Sequence, residues 1–313
     1  MEYKFEMQAD NVYVIDTKMF GFDNYSSAFL VKGKELALID TGLPNQLDAV
    51  RKGIMSHGFS VSDISKIFIT HAHEDHSGNT GPLLRESAGA NVYINPLALE
   101  FLTTPSIEDA KRKAELPADM YDRFGIMEPV PQSRIKLLND GDIFDLGNGT
   151  TLRIIFTSGH QPSGLVIFEE KNGGLFINDL VGNCFADADY QQILAPFRFD
   201  FLEGMRLLKE VMSMPVKRLL LGHFGICNEP KKLIQRALDD MQQIMEIGAQ
   251  CMAEGKPDEI ESRVLEIKKI EVEKLRVVRG PEVFKHEAGE LIVSQAKSFA
   301  KYYQELYRNN KLP

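Results

Sequence analysis

Three of the chain's seven histidines fall within six residues, His71, Ala72, His73, Glu74, Asp75 and His76. Imidazole and carboxylate groups at this density suit a zinc, iron or manganese ion, with zinc bonds of ~2.0–2.2 Å. Without a cation the same groups are costly to bury, and the imidazoles repel one another once protonated. A bound metal removes both problems, so the segment reads as part of a metal centre. Further donors recur singly. His160 follows the apolar run LRIIFTSG, Asp179 ends LFIND, and His223 sits between glycines in LLLGHFG. One histidine after a strand is more often structural than a ligand. Four separate strand ends that deliver donors make His71, His73, Asp75, His76, His160, Asp179 and His223 candidates together.

These residues need a scaffold that brings four strand ends to one place. NVYVID, SAFLVKG and ELALIDTG are short β-rich runs, with KG and TG closing them, and read as consecutive antiparallel strands. A helix is predicted from Pro44 to a terminal Gly58. KIFIT is a short apolar strand, HAHEDHSGNTG a loop, 81–88 a helix and NVYIN a strand. Residues 97–133 are polar and helical with scattered prolines, and read as an insertion that serves as a lid or an interface. Strands resume with RIKLL, TLRIIFTS, GLVIFEE and LFIND, then a helix over 200–214 and the strand RLLLG. Beyond Glu229 the pattern is helical, over about 229–254, 257–277 and 284–308, with Gly255, Pro257, Gly280 and Pro281 as punctuation. Two β-rich halves that each end in donor-bearing loops predict two packed sheets with helices outside. The expected division is a core domain over 1–228 and an all-α extension over 229–313.

Composition narrows the function. The 313 residues carry 36 basic and 45 acidic side chains, a formal charge of −9. That balance argues against unspecific binding to nucleic acid or an anionic membrane. The start of the chain lacks the basic and apolar regions of a secretory leader. No apolar run approaches the ~20 residues of a membrane span. Cys184, Cys227 and Cys251 have no ligand spacing and form no complete disulfide framework. A cytoplasmic protein acting on a small molecule is expected, with dimerisation through the insertion or the tail as a further expectation.

HAHEDH resembles the HxHxDH signature of the metallo-β-lactamase superfamily, and His160, Asp179 and His223 follow in that family's order. The resemblance runs over about residues 10–228. It implies an αββα sandwich with two divalent metal ions, zinc first and iron or manganese as alternatives. His71, His73 and His160 would hold one ion, and Asp75, His76 and His223 the other. Asp179 would bridge both. Asp40 in LIDTG would support the site from behind a ligand. Asn178 stands where glycine often precedes the bridging aspartate, so an altered local backbone is expected there. A glutamate at position 73 would suggest the di-iron oxygen- or nitric-oxide-reducing relatives, and His73 sides with the hydrolases.

The implied activity is hydrolysis of a small thioester, ester or lactone by a hydroxide held between two metals, with Asp75 orienting it. The ligand positions, insertion and helical tail are together similar in layout to the quinolone-signal response thioesterases of the family. Gly182 stands where acyl-homoserine lactonases carry a tyrosine, which counts against that activity. The alternatives are a mono-iron oxidative enzyme of the persulfide-dioxygenase type, and a regulatory or interaction protein with a vestigial metal site. His57 is expected to cap a helix end and His286 to be structural. Cys184 and Cys227 are expected to be buried, and Phe185 and Phe224 to form pocket wall or core.

Overall fold

Strands that are apolar at every position have two faces to bury, and several strands of this chain are of that kind. The computed structural model describes residues 5–115, 118–193, 199–286 and 291–312. Its first half runs β1 (Phe5–Glu6), β2 (Gln8–Ala9), β3 (Val12–Asp16), β4 (Ser27–Lys32), β5 (Leu36–Ile39), α1 (Leu47–Ser56), β6 (Ile64–Phe68), α2 (Glu74–Ser77), α3 (Thr80–Glu86), β7 (Asn91–Ile94), α4 (Leu99–Thr103), α5 (Ser106–Glu115), α6 (Ala118–Phe124) and β8 (Ile135–Leu137). The second half runs β9 (Ile143–Asp145), β10 (Thr151–Phe156), β11 (Leu165–Glu169), β12 (Gly174–Asn178), β13 (Asn183–Phe185), β14 (Tyr190–Gln192), α7 (Phe201–Val211), β15 (Arg218–Leu221), β16 (Gly225–Cys227), α8 (Pro230–Ala253), α9 (Ile260–Val278), α10 (Pro281–His286) and α11 (Ile292–Arg308).

Strands β2 to β8 form one seven-stranded sheet in chain order, antiparallel up to β5 and parallel from β5 onward. The other seven-stranded sheet has the order β1-β16-β15-β12-β11-β10-β9, and only its β12–β15 pair is parallel. Parallel neighbours need crossovers, and these are supplied by α1, by α2 with α3, by the insertion helices α4–α6, and by a long connection that contains α7.

Period-two alternation then sorts the side chains. Phe29 and Val31 of β4 face the other sheet, whereas Ala28 and Leu30 pack with Val50 and Ile54 of α1 and Leu83 of α3. Leu165 and Ile167 of β11 enter the core between the sheets. Val166 and Phe168 join Leu207 of α7, Leu233 and Met241 of α8 and Phe299 of α11 on the outside. The result is the expected αββα sandwich with a helical insertion and C-terminal helices. Helices α8 and α11 are themselves part of the outer layer on the second sheet. Helix α9 begins in that layer, through Ile260 and Val264, and its later part packs with α10, through Val272, Leu275 and Val283, on Met19, Tyr25, Phe185 and Tyr190.

Three expectations change. The HAHEDHSGNTG loop closes into α2, with His73 at its N-cap and Asp75 and His76 inside it. The helix expected over 284–308 is described as α10 and α11, and 287–290 between them lie outside the described residues. The short strands β1, β2, β9, β13, β14 and β16 were unforeseen, because two or three residues carry no readable period. Among the described residues no helix is long and apolar enough to cross a membrane.

Candidate metal centre

The seven donors converge where strands end. Asp40 follows β5, His71 follows β6, His160 follows β10, Asp179 follows β12 and His223 follows β15. Four of these strands run parallel in pairs, so their carboxyl ends open on one crevice, the usual place for a ligand in a parallel sheet. The donors fall into two groups, His71, His73, His160 and Asp179, and Asp75, His76, Asp179 and His223. Within each group the donor atoms lie within 4.8 Å of one another. Asp179 belongs to both. Its Oδ2 is 3.7 Å from His71 Nε2, 3.5 Å from His160 Nε2, and 3.3 Å from Nε2 of both His76 and His223. Asp75 Oδ2 is 3.4 Å from the same two nitrogens of His76 and His223. His73 meets His71 through Nδ1, at 3.0 Å.

Groups behind the cluster decide which ring nitrogen each imidazole presents. Thr70 donates its hydroxyl proton to Asp40 Oδ2 at 2.8 Å, so toward His71 Nδ1, 3.1 Å away, it can only accept. His71 therefore carries its proton on Nδ1 and turns a lone pair on Nε2 to the centre. Asp40 Oδ2 accepts from His76 Nδ1 at 2.8 Å, and the Tyr25 carbonyl accepts from His223 Nδ1 at 3.1 Å. Each supporting atom is an acceptor, the arrangement that orients histidine ligands in metal sites. Asp40 thus stands behind the cluster as the resemblance implied. Thr70 and the Tyr25 carbonyl were missed. Thr70 directly precedes His71 in the sequence, but a backbone carbonyl has no residue-type signature.

The donor set fits a cation. His76 Nε2 and Asp179 Oδ1 are buried without a hydrogen-bond partner among the described residues, an arrangement that calls for an ion or water. Burial holds His71 well below its ordinary value and takes His160 down to about 3. Burial also acts on His76 and His223, but Asp179 and Asp75 outweigh it, lifting His76 well above its ordinary value and His223 to about 10. Burial would raise Asp75 and Asp179, yet the imidazoles beside them hold both carboxyls well below the usual range. Protons shared among buried carboxylates and imidazoles are what a divalent ion displaces when it binds.

Asn178 shows why glycine is dispensable before Asp179. Its φ is +50°, in the left-handed region that asparagine tolerates better than most residues. Its side chain anchors that turn, donating to the Leu165 carbonyl at 2.9 Å and accepting from the Leu180 amide at 2.9 Å. The remaining expectations sort as follows. His57 ends α1, but its ring contacts the Val14 carbonyl at 2.9 Å rather than a helix carbonyl. His286 is buried and packs edge-on against Phe20 with ring centroids 5.0 Å apart. Cys184 and Cys227 are buried, Phe185 packs on Tyr25, and Phe224 lies between the sheets.

Among the described residues, the insertion is tied to the donor loop by one ion pair. Arg112 of α5 donates to Glu74 Oε1 at 2.6 Å, to Asp109 at 2.9 Å and to the Gly125 carbonyl at 3.1 Å. Burial raises the Glu74 carboxyl, and Arg112 opposes that rise. Arg112→Ala should leave a largely buried carboxylate unpaired. The expected destabilisation is about 2 kcal/mol, below the ~3–5 kcal/mol of a fully buried pair because Glu74 keeps some solvent access. A denaturation midpoint measures it, and an Arg112→Ala, Glu74→Gln double variant should recover part of the loss.

Beside the cluster lies a cavity of about 630 Å³, lined by His73 and Glu74 on one side and by Phe101, Ile107, Lys111 and Phe124 of the insertion on the other. Its size is that of a small-molecule site.

Known proteins agree with this architecture. A family model described as the metallo-beta-lactamase superfamily matches residues 21–223, more than half of the chain. The chain is similar to a protein named as a diflavin flavoprotein from Thermosynechococcus vestitus, 26% identical over 212 residues, covering 63% of this chain and 33% of that protein. It is also similar to an atrochrysone carboxyl ACP thioesterase of Cryptosporiopsis, 24% identical over 180 residues, covering 57% of this chain and 40% of that protein. The chain therefore spans well under half the length of these relatives. A solved metallo-beta-lactamase family protein from Thermus thermophilus shares the fold with a TM-score of 0.62 at 18% identity, covering 96% of this chain and 94% of that one. On its signature, its four layers and the family model's match over residues 21–223, the chain belongs to the metallo-β-lactamase superfamily.

Proposed function

We propose that the cluster holds two divalent metal ions, zinc first, and that the protein hydrolyses a small thioester, ester or lactone. The observation that carries this reading is the sharing of Asp179 by two donor groups beside a cavity that reaches His73. Two such ions, when bound, acidify a water for attack and polarise the substrate oxygen. The chain's own residues do the rest. Thr70, Asp40 and the Tyr25 carbonyl fix the protons of His71, His76 and His223 on Nδ1, away from the centre. Asp75 lies between His76 and His223 and keeps partial exposure, so its carboxylate is placed to orient the attacking water and accept its proton.

The leaving group narrows the substrate. Glu74, the acidic side chain of the donor loop that lines the cavity, is occupied by Arg112. A thiolate needs no proton from a general acid, which favours thioesters, and one relative is named as a thioesterase. Gly182 supports the case against acyl-homoserine lactones. Its φ is +76°, and a Cβ there would stand 1.8 Å from the Gln192 carbonyl oxygen, so no tyrosine fits without moving the β13–β14 hairpin.

Elemental analysis of protein purified without added metal, paired with a panel of thioesters, esters, lactones and phosphodiesters, tests the reading. Roughly two ions per chain and turnover of acyl substrates are expected for a two-metal hydrolase. Folded protein that stays metal-free after reconstitution would sink it and put a partner-binding role in front. A single iron with no hydrolysis would point to oxidative chemistry.

A further inference from the structure

The cavity at His73 has a second wall that the donor cluster does not require. Leu97, Phe101, Thr104, Ile107 and Lys111 recur at three- and four-residue steps from just before α4 into α5, and all line it. The helical path is interrupted at Thr104, between α4 and α5, so it is the cavity rather than one helix face that brings them together. The large apolar members of this wall are Leu97, Phe101 and Ile107, joined by Phe124 of α6, and they share it with Glu100, Glu108, Lys111 and Arg112. Leu97 is 69% exposed and Ile107 41% exposed, large apolar side chains left uncovered by the described residues. Single exposed apolar residues are ordinary, but these two border the same cavity as Phe101 and Phe124. The opposite wall is His73, a member of the first donor group. The Arg112–Glu74 ion pair fixes α5 on the donor loop, so the two walls hold one spacing.

We infer that the insertion face lined by Leu97, Phe101, Ile107 and Phe124 binds the apolar acyl chain of the substrate, with the carbonyl end of that chain at His73. The inference rests on the hydrolase reading for the carbonyl's fate, and on the cavity alone for the chain. It assigns the insertion the choice of acyl length, leaving the donor cluster to act on any carbonyl delivered to it. Along the four apolar side chains, each methylene moved out of water strengthens binding by up to about fourfold.

Binding of straight-chain carboxylates from acetate to decanoate to the metal-loaded protein, followed by calorimetry, tests this without catalysis. Acetate is too short to reach the groove and sets the reference for each protein. Affinity is expected to rise about two- to fourfold per methylene until the groove is filled. Leu97→Asp with Ile107→Asp should flatten that rise. Val277→Asp, at an exposed apolar residue of α9 that does not line the cavity, should keep it. A flat series in the unaltered protein, or a rise that survives the double substitution, overturns the inference. Hydrolysis of a matched thioester series separates the two readings. Length-dependent carboxylate binding with no turnover of any acyl substrate fails the hydrolase and keeps the groove. Turnover indifferent to acyl length fails the groove and keeps the hydrolase.

Discussion

Asp179→Ala should lower bound metal from roughly two ions per chain to less than one, and lower hydrolysis by more than the ~100-fold typical of losing a residue behind a ligand. The reason is position. Asp179 belongs to both donor groups. Its Oδ2 stands 3.3–3.7 Å from four imidazole nitrogens. Without it, the first group is three histidines with no balancing charge, and the second keeps one carboxylate, Asp75. Asp179→Asn preserves shape and removes charge, so comparing the two variants separates the geometric from the electrostatic share. Metal content by elemental analysis and turnover of the best thioester are the readouts. Retention of two ions with turnover within tenfold of the unaltered protein would mean that Asp179 does not join the two groups.

Gly222→Ala is expected to be nearly as damaging, although glycine donates nothing. A Cβ at this position would lie 2.5 Å from Asp179 Oδ1 and 2.9 Å from His76 Cε1. Neither neighbour can give way easily. His76 is pinned by Asp40, and Asp179 follows the Asn178 turn. The backbone is held too, because the Gly222 carbonyl accepts from the Ser27 amide at 2.7 Å. Overpacking of this kind costs about 1–3 kcal/mol, and here the strain falls on two donors of the second group. Metal content should fall to roughly one ion per chain, with turnover reduced by about 100-fold or more, as when support of a metal ligand is lost. Gly89→Ala is the control, since nothing lies within 4 Å of its added Cβ. Unchanged metal content in Gly222→Ala would show that the cluster relaxes more freely than its packing implies.

The donors were legible because metal chemistry restricts residue type so strongly. Six residues that hold three histidines and an aspartate have little value as packing, and strand ends bearing His160, Asp179 and His223 repeat the theme. The sandwich was legible because two β-rich halves each end in donor-bearing loops, and strands such as β11 and β12 are in fact buried on both faces between the sheets and the outer helices. Elements without a period were not legible. Strand β1 pairs Phe5 with Cys227 across almost the whole core domain, and two residues give no hint of it. Helix α2 was hidden because its four residues are all polar, two of them donors, and carry no apolar stripe.

By itself, then, the sequence determined which side chains gather and what class of chemistry they suit, since those depend on donor type and on strand alternation, both local properties. The tertiary structure alone decided three further things. It set the ring nitrogen that each histidine presents, through Thr70, Asp40 and the carbonyl of Tyr25, the last 198 residues from His223. It set Gly222 against two donors, because the pairing of β12 with β15 brings Asp179 beside it. Among the described residues it also placed the insertion, rather than the C-terminal helices, along the cavity at His73. Each of these depends on contacts between residues far apart in the chain, and contacts of that kind leave no pattern in the order of amino acids.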